Sequence, residues 1–96
     1  MLNTIKMTRW QEQEDVTVKE RVEQQPKIIV YNDDVNTFDW VIECFVDVCQ
    51  HSAAQAEQLS YLIHFKGKAT VKTGNIKELK PIKEALQERG LSAVIE

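Results

Sequence analysis

Lys27-Ile28-Ile29-Val30-Tyr31-Asn32-Asp33-Asp34 is the stretch whose reading decides the fold. Ile28 to Tyr31 are β-branched or aromatic and suit a pleated, half-buried surface, and Asn32-Asp33-Asp34 supplies the turn chemistry that ends a strand. Pro26 precedes the run, so the folded domain is expected to start at residue 27. Just beyond it, Asn36 and Asp39 stand three residues apart in a capping-box-like pair, and Asp39, Glu43, Asp47 and Gln50 then mark one polar stripe at near-helical spacing. Everything between those positions is apolar: Trp40, Val41, Ile42, Cys44, Phe45, Val46 and Val48. A helix over about 37–50 is therefore expected to be buried on more than one side and to form the centre of the core.

Further along, Ser52 with Gln55 makes a second capping box, and Ala56, Leu59, Leu62 and Ile63 recur at helical intervals up to Phe65, predicting a helix over 53–65 that Gly67 follows. Residues 68–73 alternate polar with small or apolar side chains as a half-exposed strand does, and Gly74-Asn75 turns the chain. A third helix occupies most of 76–89, with Ile76, Leu79, Ile82, Ala85 and Leu86 on one face and Gly90 after its end. Pro81 leaves two starts open, one at residue 76 and one near Lys80 with Pro81 as first helical residue, because an interior proline costs about 3 kcal/mol. Residues 91–95 close the chain as a third strand. The expected class is α+β in the order β-α-α-β-α-β, a three-stranded antiparallel sheet with three helices packed on one face.

Residues 1–26 form a different region, with Gln11-Glu12-Gln13-Glu14-Asp15 and a second charged run ending at Pro26. Its large apolar side chains are too few to offset the entropy of ordering, so it reads as a flexible extension, either solvated or able to dock through Ile5, Met7, Trp10, Val16 and Val18. The 96 residues hold one small domain and exclude a multi-domain enzyme. The apolar stretches are interrupted too often for a membrane span, and the first residues lack the apolar core of a secretory signal; the expected location is the cytoplasm. Cys44 and Cys49 fall in one apolar run and read as reduced core thiols. A net charge of −3 argues against nucleic acid, which needs a clustered surplus of Lys and Arg.

Chemistry has few places to sit. Asn32-Asp33-Asp34 leaves a buried strand and enters a buried helix, where carboxylates favour a cation, but the same residue types are common turn and cap formers. His64 stands near a helix C-terminus, where a lone histidine is usually a packed or capping side chain and the dipole accounts for it without any function. His51 lies in the interhelix turn without a partner at metal-ligand spacing, so no metal is implied. Asp33, Asp34 and His64 could converge as acid, base and orienter, yet there is no nucleophile elbow, glycine-rich phosphate loop or paired histidine motif. The chain is not expected to be an enzyme, and no cofactor is expected.

Two segments together carry more than composition does: Val30-Tyr31-Asn32-Asp33-Asp34 with Thr37-Phe38-Asp39-Trp40-Val41, and Ile63-His64-Phe65-Lys66-Gly67-Lys68-Ala69. In this order and separation they resemble the ClpS family of protease adaptors over residues 26–96. The resemblance implies a non-catalytic adaptor that binds proteins by a bulky N-terminal Leu, Phe, Tyr or Trp and hands them to a Clp AAA+ unfoldase of the ClpA or ClpC kind. It implies that Asn32, Asp33 and His64 contact the substrate's α-amino group, with Asp34 and Asn36 at the peptide backbone and pocket entrance. Phe38, Val41, Ser60, Ile63 and Leu91 would line an apolar pocket for the first side chain. Three positions depart from the family pattern: Asn36 stands where threonine is usual, and Phe38 and Ser60 where methionines are common, which implies a reshaped pocket. The N-terminal extension is expected to serve delivery, and Glu78, Lys80 and Glu84 to belong to the ATPase docking face. The alternative is an interaction domain of the same fold that regulates the ATPase without reading N-termini.

Overall fold

A computed structural model of the chain describes residues 25–96. The elements run β1 (Lys27–Tyr31), α1 (Phe38–Cys49), α2 (Ala53–Lys66), β2 (Lys68–Thr73), α3 (Ile76–Glu88) and β3 (Ser92–Ile95). This is the α+β order expected from the sequence. The extension expected over residues 1–26 lies outside the described residues except for its last two positions.

The sheet has the order β2-β1-β3 with both pairings antiparallel. The run richest in β-branched residues thus becomes the central strand, with Ile28 and Val30 buried. Register places Val30 opposite Ala69 and Ala93, and Ile28 opposite Ile95, so these side chains share the face that meets the helices. Onto it pack Cys44, Phe45 and Cys49 from α1, Ala56 and Ile63 from α2, and Leu79 and Leu86 from α3. Phe45 is fully buried, and burying a side chain of that size contributes about 1.5–3 kcal/mol. Burial also pushes the Cys49 thiol up to about 11 and raises that of Cys44, which keeps two free cysteines as packed, protonated side chains.

Capping explains the helix starts, corrects one reading and decides one boundary that the sequence left open. The first helix is capped by Thr37, whose Oγ1 accepts from Trp40 N at 3.2 Å, one residue later than the Asn36 pair suggested. Asn36 is occupied elsewhere. Ser52 caps α2 as expected, its Oγ accepting from Gln55 N at 3.1 Å. The third helix starts at Ile76, not near Lys80: Asn75 Oδ1 accepts from Glu78 N at 2.9 Å, and Leu79 is buried in the first turn. Capping and burial of that turn outweigh the hydrogen bond Pro81 cannot make. The face of α2 also differs from the expected one. Ala56, Ser60 and Ile63 point inward, while Leu62 and Phe65 are exposed, because the helix turns its 60/63 edge toward the core.

One irregularity is stabilised by a residue that looked featureless in the sequence. The β1–β2 register jumps from Ile28 opposite Lys72 to Ile29 opposite Thr70, so Val71 is an extra residue, and its side chain reaches the core. A bulge disturbs the ladder locally, and His51 answers it: its Nε2 donates to the Val71 carbonyl at 2.7 Å. A carbonyl only accepts, so the bond requires a hydrogen on Nε2. Replacing His51 by Ala is expected to cost about 1–3 kcal/mol, read as a lowered urea midpoint at unchanged slope. A midpoint equal to wild type would mean that the Val71 carbonyl has no need of the ring.

Candidate functional site

The two sequence segments meet through their backbones. Gly67 ends α2 at φ 91°, a left-handed conformation that Gly adopts without the Cβ penalty, and its N–H donates back to the Ile63 carbonyl at 2.9 Å. Its own carbonyl then accepts from Asn32 N at 2.8 Å. The C-terminal end of α2, which carries His64, is thereby tied to the end of β1, which carries Asn32 and Asp33.

Asp33 organises the loop that follows. Its Oδ1 accepts from Val35 N at 2.9 Å and from Asn36 N at 2.8 Å, and its Oδ2 accepts from Asn36 Nδ2 at 2.8 Å. Partial desolvation pushes its carboxyl up, but the bonds from the Asn36 backbone, the Asn36 side chain and the Val35 backbone outweigh it, so the group sits below the ordinary aspartate value. Asn36 donates its second Nδ2 hydrogen to the Gly90 carbonyl at 2.8 Å, and Trp40 Nε1 donates to the Arg89 carbonyl at 3.0 Å. Together these bonds latch the turn between α3 and β3 to the start of α1, and the turn delivers Leu91 beneath the loop. The nearby pair of Arg89 with Asp47, at 3.4 Å and half exposed, adds little.

The result is a cavity of about 600 Å³ walled by the 32–38 loop, the first turn of α1 and the C-terminal half of α2. Its polar side holds Asn32, Asp33, Asp34, Asn36 and His64; its apolar side holds Phe38, Val41 and Ile63, with Ser60 among them. A cavity of this size with a few convergent polar groups suits a small ligand or one end of a larger one. Leu91 stands apart from the rest: it lines a small adjoining recess shared with Asn32, Asp33, Asn36, Val41 and Ile63. Two wall residues escaped the sequence reading. Tyr61 and Phe65 are 46% and 74% exposed and form a lip, Tyr61 lying 4.7 Å from the Phe38 ring and 6.0 Å from that of Phe65. Phe65 in turn meets the His64 ring edge-on at 5.0 Å. The available signal was their i, i+4 spacing, each one residue past a wall position, Ser60 or His64.

A family model for the ATP-dependent Clp protease adaptor protein ClpS matches residues 21–94. The chain belongs to the ClpS family. The ClpS adapter of Acetivibrio thermocellus is 40% identical over 45 residues, which are 47% of this chain and 46% of that protein, so the match spans about half of the relative's length. The structure of Agrobacterium tumefaciens ClpS2 bound to L-phenylalaninamide superimposes with a TM-score of 0.68 at 22% identity, covering 74% of this chain and 93% of that one. At that identity the likeness speaks for the fold. Among the described residues no helix is long and apolar enough to cross a membrane, and no group of three or more His, Cys, Asp or Glu is arranged to hold a metal ion.

Because the folded protein holds the Asp33 carboxyl below its ordinary value of 3.8, the carboxylate stabilises this ClpS domain above that value. The contribution is lost as pH falls through the lowered folded-state value. Asp33→Asn is therefore expected to be less stable than wild type at neutral pH and to converge with it in strong acid. Urea unfolding across a pH series checks this, and a gap that persists unchanged into acid would contradict it.

Proposed function

We propose that this ClpS protein binds substrates through a free N-terminal residue with a bulky hydrophobic or aromatic side chain and delivers them to a Clp AAA+ ATPase-protease. The observation that carries the reading is that Asn32, Asp33 and His64 share one cavity with Phe38, Val41, Ser60 and Ile63. A protonated α-amine offers three donors, and the matching acceptors are the Asn32 amide oxygen, the Asp33 carboxylate and a His64 ring nitrogen. Asp33 Oδ2 accepts one bond within the loop and retains a lone pair for the amine. Asn36 has both Nδ2 hydrogens committed, so its Oδ1 is the atom left for a peptide N–H, with Asp34 beside it at the entrance.

Phe38, Val41, Ser60 and Ile63 surround the first side chain in this reading, with Leu91 supporting the loop from below. Burial of a Leu or Phe contributes about 1.5–3 kcal/mol, and charge-assisted bonds to the amine a similar amount each, consistent with a micromolar, releasable contact. An adaptor needs that release to pass its cargo on. The partner ATPase is of the ClpA or ClpC kind, and Glu78, Lys80 and Glu84, all exposed on α3, belong to the docking face.

Fluorescence anisotropy with peptides beginning Phe, Leu, Tyr or Trp tests the recognition step. Free-amine peptides are expected to bind and their acetylated forms to lose at least about tenfold, since acetylation removes the charge and two of the donors. Asp33→Ala also releases Val35 and Asn36, so the cleaner variant is His64→Ala, whose exposed ring is expected to weaken binding without lowering stability. Failure of every free-amine peptide with the domain folded would favour a same-fold regulator of the ATPase. Removing residues 1–24 is expected to leave peptide affinity within about twofold while stopping substrate degradation by the reconstituted protease; a large loss of affinity would contradict this division of labour.

A further inference from the structure

Ser60 is the one buried polar residue among the described residues, 3% exposed, and it sits in the otherwise apolar wall formed by Phe38, Val41 and Ile63. Its hydroxyl hydrogen is already committed, because Oγ donates to the Ala56 carbonyl one helical turn earlier at 2.8 Å. That bond lets the hydroxyl be buried without an orphaned donor. It also sets the polarity that remains: Oγ keeps lone pairs and has no hydrogen left to give. A serine side chain has only two heavy atoms, so whichever of them lines the wall, the oxygen is at most one bond away.

An apolar wall with one side-chain acceptor set in it distinguishes ligand side chains that hydrophobicity alone would treat alike. Phenylalanine and leucine offer that acceptor nothing. The indole N–H of tryptophan is a donor only, and the phenolic O–H of tyrosine can donate, so both complement an oxygen whose own proton is directed elsewhere. A site built around a hydrogen-bonding group discriminates against analogues that lack the matching group more sharply than one built on size. Serine also leaves room in the wall that a long side chain would fill.

We infer that Ser60 is a specificity-determining residue that biases the pocket toward N-terminal side chains carrying both an aromatic ring and a hydrogen-bond donor, tyrosine or tryptophan, over phenylalanine and leucine. This rests on the N-terminal recognition proposed above and names the substrates that recognition favours.

The test is a two-way comparison by fluorescence anisotropy on the full chain. Wild type and Ser60→Ala are titrated with otherwise identical free-amine peptides beginning Phe, Tyr, Trp or 3-benzothienylalanine, the last a near-isostere of tryptophan in which sulfur replaces the indole N–H. Ser60→Ala removes only the hydroxyl from a position already helical, and its thermal melt is recorded alongside. The expected result is a loss on the order of 3- to 10-fold for Tyr or Trp, with Phe and the benzothienyl peptide changing by less than about twofold, so that the preference for the donor-bearing ligand collapses. A purely structural role would weaken all four peptides together and leave the ratios intact, and that outcome overturns the inference. Unchanged affinities throughout also overturn it. If wild type binds none of the four, the N-terminal reading itself fails and this inference falls with it, an outcome distinct from binding with unaltered ratios.

Discussion

The hydrogen bond from Asn32 N to the Gly67 carbonyl joins the two halves of the site, and most of the local architecture is arranged around it. It connects the end of the central strand to the last turn of α2, two points far apart in sequence. It depends on Gly67 at φ 91°, where open space surrounds the missing Cβ, so the constraint is backbone conformation and not crowding. With that bond in place, Asn32, Asp33 and His64 converge without any of them lying in the hydrophobic core. The core fixes the helices against the sheet, and the bond fixes which edge of α2 the strand end meets.

The loop after β1 is held with equal economy. Asp33 collects two backbone N–H groups and one side-chain amide, and Asn36 passes the connection on to Gly90. Trp40 adds a parallel tie through Arg89. A carboxylate that organises its own loop is already oriented, so the amine recognition proposed for it would require little further ordering. The same engagement makes Asp33 a structural residue as well as a candidate ligand-binding one, and its substitution acts on both. His64 differs: it is exposed at the lip and meets Phe65 edge-on, so the part proposed for it in binding is separable from stability.

Much of this was legible in the sequence. The β-branched run of β1, the continuous apolar surface of α1, the Ser52 cap and the glycine after α2 each express a local rule, and the element order followed from them. Most of the cavity residues, His64 among them but not Tyr61 or Phe65, were legible through a resemblance to one family carried by two spaced segments. Less legible were features decided by competition between local and distant partners. Asn36 resembles a cap by type and spacing, but Asp33 and Gly90 offer its amide two acceptors, and Thr37 takes the cap. Pro81 argues locally for a late helix start, yet burial of Leu79 and the Asn75 cap hold the turn before it. His51 carries no motif, and its partner, the Val71 carbonyl, exists only because two strands pair with a one-residue slip.

The sequence by itself determined the class of the fold, the elements and their order, because hydrophobic period, caps and glycines act within a few residues of chain. Tertiary structure alone decided which edge of α2 faces inward, and with it that Ser60 is buried while Tyr61 and Phe65 form a lip. The helix has apolar side chains on several sides, so its own periodicity does not select one of them. The selection comes from where α1 and the strands leave room, and that is a property of the packed molecule.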